Sequence, residues 1–494
     1  MGKSSKKKKR QYKERAASED HVVHSANSSE LITEGNTALA TSQSNQAAIP
    51  SSENNNEDRI SQLPINVLCH ILSFLPTRCA VATSILSQKW MYVWVDIPVL
   101  DFTDLPSSMT DMDAIVFNQE QYDNFANFMN RVLLLNSAPY IRRLHFETYD
   151  GFVASHIYEW MMVIARLCIG ELCCFAKNFQ VLIPPYFVIS KDQLVVLKLQ
   201  GFGLVLPSSF HLPRLQSFSL IEGNLSNEDD TLNVDPWMHF LSKCPVLEEL
   251  NIVNCKRIEK LSVCSSSIKI LRVALNNAPK RAILIQTPNL EIVDLSIGIK
   301  RSKVNDLSSL VKARLDIWTS SVRWVKLLEK ISNTKSLVLH QITMDGSSAY
   351  MRLPNFQNLT HLEVGFTAWP IWMFHWPDKK PRKIKLPLKR IEYCGFDVVK
   401  GIKVVQYFLE NSALLKEFKI YTHRWLDSET EITILKKLLK LWRASTQCRI
   451  TVVNEGSDSM SEDSDSESEG PVDNDSESKG PAETLAAEAL LDIT

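Results

Sequence analysis

From Asp58 onward the chain follows two hydrophobic rhythms in turn, and each predicts a different kind of element. After Asp58-Arg-Ile-Ser-Gln-Leu-Pro64, the residues Val67, Leu68, Ile71, Leu72 and Leu75 recur at helical spacing. A helix is expected there, with Pro64 at its first position, where a missing N–H costs nothing. Pro76 stops it. A second helix from about Thr77 carries Ala80, Val81, Ile85 and Leu86, and Trp90 and Trp94 follow at i, i+4 spacing. Two or three short helices in about 40 residues make too small a core to stand alone. Their apolar surface needs a cover.

From about Tyr140 the rhythm becomes Leu-x-x-Leu-x-Leu. The copies are Ile141-Leu144-Phe146, Ile169-Leu172-Cys174, Leu194-Leu197-Leu199, Leu215-Phe218-Leu220, Leu247-Leu250-Ile252, Ile268-Leu271-Val273 and Leu290-Val293-Leu295. They continue through a weaker Leu310-Ala313-Leu315, then Leu337-Leu339, Leu359-Leu362-Val364, Leu388-Ile391-Tyr393 and Leu415-Phe418-Ile420. Successive copies lie mostly about 20–30 residues apart, which brackets the leucine-rich-repeat period. Alternation within each copy makes a strand whose inward residues stack on the next copy. Helical segments are expected in the gaps, such as Phe125-Phe128-Met129-Val132, Ile157-Trp160-Met161-Ile164 and Val404-Val405-Phe408-Leu409. The expected fold class is α/β: a small N-terminal helical module, then a leucine-rich-repeat solenoid of horseshoe form.

Composition adds the two ends. Hydrophobic residues make up 45% of the 494 and charged ones 22%, enough to bury a core between polar tails. The formal net charge of −1 hides an asymmetry. Residues 1–56 form a basic tail with the dense run Lys6, Lys7, Lys8, Lys9 and Arg10, which matches a nuclear-import signal. Residues 454–494 form an acidic tail in which Asp463-Ser-Asp-Ser-Glu-Ser-Glu-Gly-Pro471 is echoed by Asp473-Asn-Asp-Ser-Glu-Ser-Lys-Gly-Pro481. Both tails are expected to be disordered, because they hold too little apolar area to offset their ordering entropy.

The remaining chemistry is mostly exclusion. The 10 cysteines include no Cys-x-x-Cys pair, and several, such as Cys69, Cys168, Cys173 and Cys174, sit in apolar runs. They read as small hydrophobes in a reduced setting, with no metal expected. The 11 histidines show no His-x-x-x-His pairing, and none of the 15 glycines belongs to a phosphate-binding loop. No apolar run reaches the roughly 18 residues needed to span a bilayer. No cofactor, no membrane and no nucleic acid partner are expected.

Two segments resemble known modules. Asp58-Arg-Ile-Ser-Gln-Leu-Pro-Ile-Asn-Val-Leu-Cys-His-Ile-Leu-Ser-Phe-Leu-Pro76, followed by Ala80-Val-Ala-Thr-Ser-Ile-Leu-Ser-Gln-Lys-Trp90 and Trp94, resembles an F-box. The repeats, closed by Leu388 through Tyr421, resemble the plant F-box/FBD/leucine-rich-repeat family. The domains are then an F-box at 57–100, a linker at 101–120, repeats at 121–387 and an FBD-like region at 388–453. The resemblance implies a non-catalytic substrate-recognition subunit of a Skp–cullin–F-box ubiquitin ligase, in the nucleus, the cytoplasm or both. Leu63, Pro64, Val67, Leu68, Ile71, Leu72, Leu75, Pro76, Leu86, Ser87, Trp90 and Trp94 would then face the Skp-type linker or the small F-box core. Cullin and RING subunits would follow through that linker, since the chain carries no RING zinc pattern of its own. Cys79, Gln88 and Met91 depart from residue types common in the family and would tune affinity at the rim. The alternative is a non-catalytic nuclear repeat scaffold acting outside a ubiquitin ligase.

The target-binding surface is expected on the strand positions between core leucines: Lys198, Ser219, Asn251, Arg272, Asp294, Glu363 and Lys419. Arg272 and Asp294 are its central pair. A second candidate is Trp372 and Trp376, in the run Trp369-Pro-Ile-Trp-Met-Phe-His-Trp-Pro377, which with Lys379 to Lys385 interrupts the repeat pattern.

Overall fold

The computed structural model describes residues 59–103, 119–148, 154–176, 181–189, 191–229, 234–275, 281–305, 307–318, 321–340, 356–365, 386–396, 401–422 and 428–454. The basic tail, including Lys6 to Arg10, and the acidic tail beyond Asn454 lie outside the described residues, as do Trp372, Trp376 and Lys379 to Lys385.

The elements begin with helices α1 (Ile65–Leu72) and α2 (Thr77–Ala82) and strand β1 (Val99–Phe102). Then come α3 (Gln119–Leu135), β2 (Ile141–Thr148), α4 (Ala154–Ile164), β3 (Ile169–Ala176), β4 (Val181–Ile183) and the short α5 (Tyr186–Ile189). β5 (Val196–Gln200), β6 (Phe202–Leu206), β7 (Ser217–Ile221), β8 (Asn224–Asn227), α6 (Pro236–Ser242) and β9 (Glu249–Val253) follow. Next are β10 (Lys260–Cys264), β11 (Ile270–Leu275), β12 (Arg281–Gln286), β13 (Ile292–Val304), β14 (Lys312–Trp318), α7 (Ser321–Lys330) and β15 (Ser336–His340). β16 (His361–Gly365), β17 (Arg390–Phe396), α8 (Gly401–Asn411), β18 (Glu417–Thr422), α9 (Ser428–Leu439) and β19 (Arg449–Asn454) complete them.

The main sheet is parallel and runs β1-β2-β3-β5-β7-β9-β11-β13-β14-β15-β16-β17-β18-β19. Its register stacks the repeat positions on one another. Leu144 pairs with Leu172, then Leu197, Phe218, Leu250, Leu271 and Val293 follow in one row, and Phe146, Cys174, Leu199, Leu220, Ile252, Val273 and Leu295 form a second. These side chains are almost wholly buried. One repeat cannot bury its own apolar face, so each strand is covered only by its neighbours and the crossover behind it. The residue that leaves the strand turns sharply in three successive repeats: Gly201, Glu222 and Asn254 all have positive φ. Each donates its N–H to the end of the next strand, at Ile221, Val253 and Ala274, so the left-handed turn carries the ladder one bond further.

The structure corrects the expected organisation in three places. The repeat begins before Ile141: Ile97, Leu100 and Phe102 have the same spacing, are buried, and β1 pairs with β2 from Val99↔Arg143 to Phe102↔Phe146. A boundary at 100 and a linker starting at 101 therefore cut through the first strand. Second, the sheet continues past the aromatic run, since β16 pairs directly with β17 through Leu362↔Ile391. Third, the crossovers are not all helical. β4, β6 and β8 form a second small sheet, and β10 and β12 pair beside β13. The crossovers holding β6, β10 and β12 belong to repeats of about 20 residues, which leaves room for a strand and little for a helix, whereas the longer repeats holding β4 and β8 also carry α5 and α6.

Lys191 shows how a crossover is held. It is buried, and its Nζ donates to the carbonyl oxygens of Ile164 (3.1 Å), Ala165 (2.9 Å) and Leu167 (2.7 Å) at the end of α4. These carbonyls lie at the helix end, where the i+4 donors run out, although Ile164 O also accepts from Leu167 N at 3.1 Å, and a cation at a helix C-terminus meets the favourable end of its dipole.

Candidate docking face and open sheet face

α1 starts after Pro64, which occupies the cap position rather than the first helical one, and α2 starts the same way after Pro76. A 3-10 turn at Thr83–Ile85 and another at Val93–Asp96 complete the helical module. Its own polar contacts fix the entry and the second half together. Trp90 Nε1 donates to Ser61 Oγ at 2.8 Å, and Lys89 Nζ to the carbonyl of Leu63 at 3.1 Å. One side of the module is joined to the repeats. Asp101 N donates to Thr77 Oγ1 (2.7 Å), Asn136 Nδ2 to the Ile97 carbonyl (3.1 Å) and Ser137 N to the Val95 carbonyl (2.9 Å). The buried side chains of the module and of the repeats form one continuous core.

The expected docking residues divide by facing. Leu68, Leu72, Trp90 and Trp94 are buried and hold the module together, so they are core positions and not available to a partner. Leu63 and Pro76 are half-buried, whereas Pro64, Val67, Ile71, Leu75, Leu86 and Ser87 are exposed. Large apolar side chains outside the expected docking set are exposed as well: Ile65, Phe74 (73% exposed), Ile85 (85%), Met91 and Tyr92 (70%). Apart from Asn66 and His70 the residues of α1 are apolar, more than the small module's core covers, and the remainder is left for something else. That signal was in the sequence, but it could not say which face turned outward.

The other face of interest is the side of the main sheet turned away from the core. The register places Lys198, Ser219, Asn251, Arg272 and Asp294 in one row, followed by Arg314, Val338, Glu363, Glu392 and Lys419. Neighbouring side chains in such a row stand roughly 5 Å apart. All seven outward positions expected from the sequence fall in it. Most of its charges are already paired. Arg272 bonds Glu249 on β9, His340 Nε2 lies 3.0 Å from Glu363 Oε1, and Arg390 Nε lies 2.8 Å from Glu392 and 3.3 Å from Glu417. The His340 hydrogen bond holds the Glu363 carboxyl below its ordinary range, while burial raises that of Asp316, which accepts from Ser296 Oγ at 3.0 Å. Apart from the buried Val338 the row is polar and of mixed sign.

No catalytic constellation accompanies these faces among the described residues. Burial pushes the Cys255 thiol up to about 12 and that of Cys448 to about 11, away from the thiolate a nucleophile needs. No group of three or more His, Cys, Asp or Glu among the described residues is placed to hold a metal ion. No described helix is long and apolar enough to cross a membrane.

Comparison with known proteins matches the two regions separately. Residues 60–102 fit the F-box domain model. Residues 157–313 fit the model of the leucine-rich repeats of the FBD-associated F-box protein At5g56370. The chain carries an F-box followed by FBD-associated leucine-rich repeats. The F-box match ends at Phe102, the last residue of β1, so F-box and solenoid share that strand. Similar proteins come from Arabidopsis thaliana. F-box/LRR-repeat protein At3g59210 is 29% identical over 336 residues, covering 62% of this chain and 68% of its own length. F-box/LRR-repeat protein 13 is 28% identical, covering 80% and 96%. F-box/FBD/LRR-repeat protein At5g22660 is 28% identical, covering 83% and 99%.

Proposed function

We propose that this chain is the target-recognition subunit of a Skp–cullin–F-box ubiquitin ligase. The apolar face led by Phe74, Ile85 and Leu86 docks on a Skp-type linker, and through it on cullin and RING subunits. The open face of the repeats holds a target protein. The observation that carries this reading is the F-box itself: its inward face is merged with the repeats while large apolar side chains stay exposed on its outward face. Exposed apolar patches of this kind mark interaction sites. The chain is then non-catalytic and works by position, since a target lysine held beside a charged conjugating enzyme gains effective concentration. Purification of the tagged full chain from plant cells tests the assignment. Linker and cullin should be recovered with it. Recovery of neither would favour a repeat scaffold acting outside a ligase.

For the target, the paired and mixed charges of the open face suit a protein surface better than a phosphate backbone, which calls for a single-sign stripe. Exchanging the charges of Arg272 and Asp294 together, as Arg272→Asp with Asp294→Arg, should weaken target capture about tenfold. Linker binding and folding should be unchanged, because exposed ion pairs add little to stability. Undiminished capture, but loss on altering Trp372 and Trp376, would move the site to the aromatic run. The basic segment Lys6 to Arg10 further suggests import into the nucleus, and removing residues 1–15 should shift a fluorescent fusion to the cytoplasm. Unaltered nuclear fluorescence would count against that assignment.

A further inference from the structure

The last helix of the repeats leaves an apolar strip open beside unpaired lysines. α9 turns Ile434 and Leu438 into the core and leaves Ile432 and Leu439 exposed. Those two stand at i, i+7 and so share a face. Trp442, 66% exposed, follows in a turn that prolongs the helix through bonds from Lys440 N to the Lys437 carbonyl and from Leu441 N to the Leu438 carbonyl. Lys436 and Lys440 lie one turn apart at the border of the strip, and both are exposed. Neither enters an ion pair among the described residues. The strip belongs to the last repeat among the described residues, just before its edge strand β19. A solenoid needs a cap there, since the terminal repeat has no neighbour to cover its apolar surface.

The chain carries a matching segment. Residues 482–493, Ala-Glu-Thr-Leu-Ala-Ala-Glu-Ala-Leu-Leu-Asp-Ile, depart from the acidic composition that precedes them. On a helix, Ala482, Leu485, Ala486, Ala489, Leu490 and Ile493 share one side. Glu483 and Asp492 border that stripe on its two flanks, with Glu488 beyond. We propose that residues 482–493 dock as a short amphipathic helix on the Ile432–Leu439–Trp442 strip, its carboxylates against Lys436 and Lys440, and cap the repeats. Residues 455–481 tether it to the end of β19. A random coil of 27 residues would span roughly 30 Å, enough to return to the same repeat. Such a tether supplies an effective concentration on the order of 1 mM, so a contact with a Kd of only about 0.1 mM is mostly closed.

The inference does not depend on what the F-box or the open face binds, and its test uses neither. Zero-length carbodiimide crosslinking of the monomeric full chain should join Glu483, Glu488 or Asp492 to Lys436, Lys437 or Lys440, in preference to Lys389, Lys403 or Lys416. Hydrogen exchange across residues 428–442 should be about tenfold faster in a chain ending at Pro481. The full-length variant Leu485→Asp with Ile493→Asp should reproduce that change. Crosslinks spread evenly over exposed lysines, or exchange unaltered by either change, would overturn the proposal. Protection found only in a dimeric fraction would also overturn it, because a second copy would then be the cover.

Discussion

Replacing Phe74 and Leu86 together by alanine is expected to weaken binding of a Skp-type linker roughly a thousandfold, about 4 kcal/mol. Phe74 follows α1 in a turn set by its N–H on the Ile71 carbonyl, and its ring meets that of His70 in a T-shaped pair. Leu86 closes the 3-10 turn through its N–H on the Thr83 carbonyl and is 65% exposed. Both side chains therefore offer most of their surface to a partner, and large apolar side chains that become fully covered dominate interfaces. The same exposure means that the free chain loses little when they are shortened, within about 0.5 kcal/mol. Isothermal titration with purified linker, run beside thermal unfolding, separates the two effects. An unchanged Kd would remove the docking assignment. Leu68→Ala or Trp94→Ala should instead cost about 2–5 kcal/mol of stability, since both leave cavities in the core.

Lys191→Met is expected to destabilise the repeats around α4 and β5 by about 3 kcal/mol or more. The thioether fills much of the space of the lysine stem but offers no donor, so the Ile164, Ala165 and Leu167 carbonyls lose their shared partner in a buried place. In a repeat array the damage should be local, so hydrogen exchange of residues 154–200 is the measurement to make. Exchange as slow as in the unaltered chain would show that water replaces the ammonium at no cost. Burial also lowers the Lys191 pKa from 10.5 to about 8. The unfolded chain therefore holds the proton more tightly than the folded one. Between those two pH values the unaltered protein should gain stability as pH rises, while Lys191→Met lacks that contribution. The gain is complete above the unfolded pKa and absent below the folded one.

The main ladder of the fold was legible in the sequence. In a strand every second residue points to the same side, so Leu-x-x-Leu-x-Leu states facing directly, and copies from Ile141 to Ile420 took their expected places in the parallel sheet. The same alternation identified the outward row through Lys198, Arg272 and Lys419, because whatever lies between core leucines must point away from them. Ile97-Leu100-Phe102 carried an equally clear copy, and it was obscured only by standing inside a segment that also reads as F-box.

Facing on α1 was a different matter. Apart from Asn66 and His70 its residues are apolar, so helical spacing did not say which of them would be covered; packing against the Val93–Asp96 turn puts Leu68 and Leu72 in the core, while Phe74, just past the helix, stays exposed. The middle crossovers became strands because neighbouring repeats offered them edges to pair with, an option no isolated segment reveals. Lys191 meets carbonyls some 25 residues earlier in the chain, at a distance where neither propensity nor periodicity carries information. The sequence by itself determined the repeat, its register and the class of module in front of it. The tertiary structure decided which apolar side chains are core and which remain free, because that choice depends on what each surface meets once the repeats have stacked.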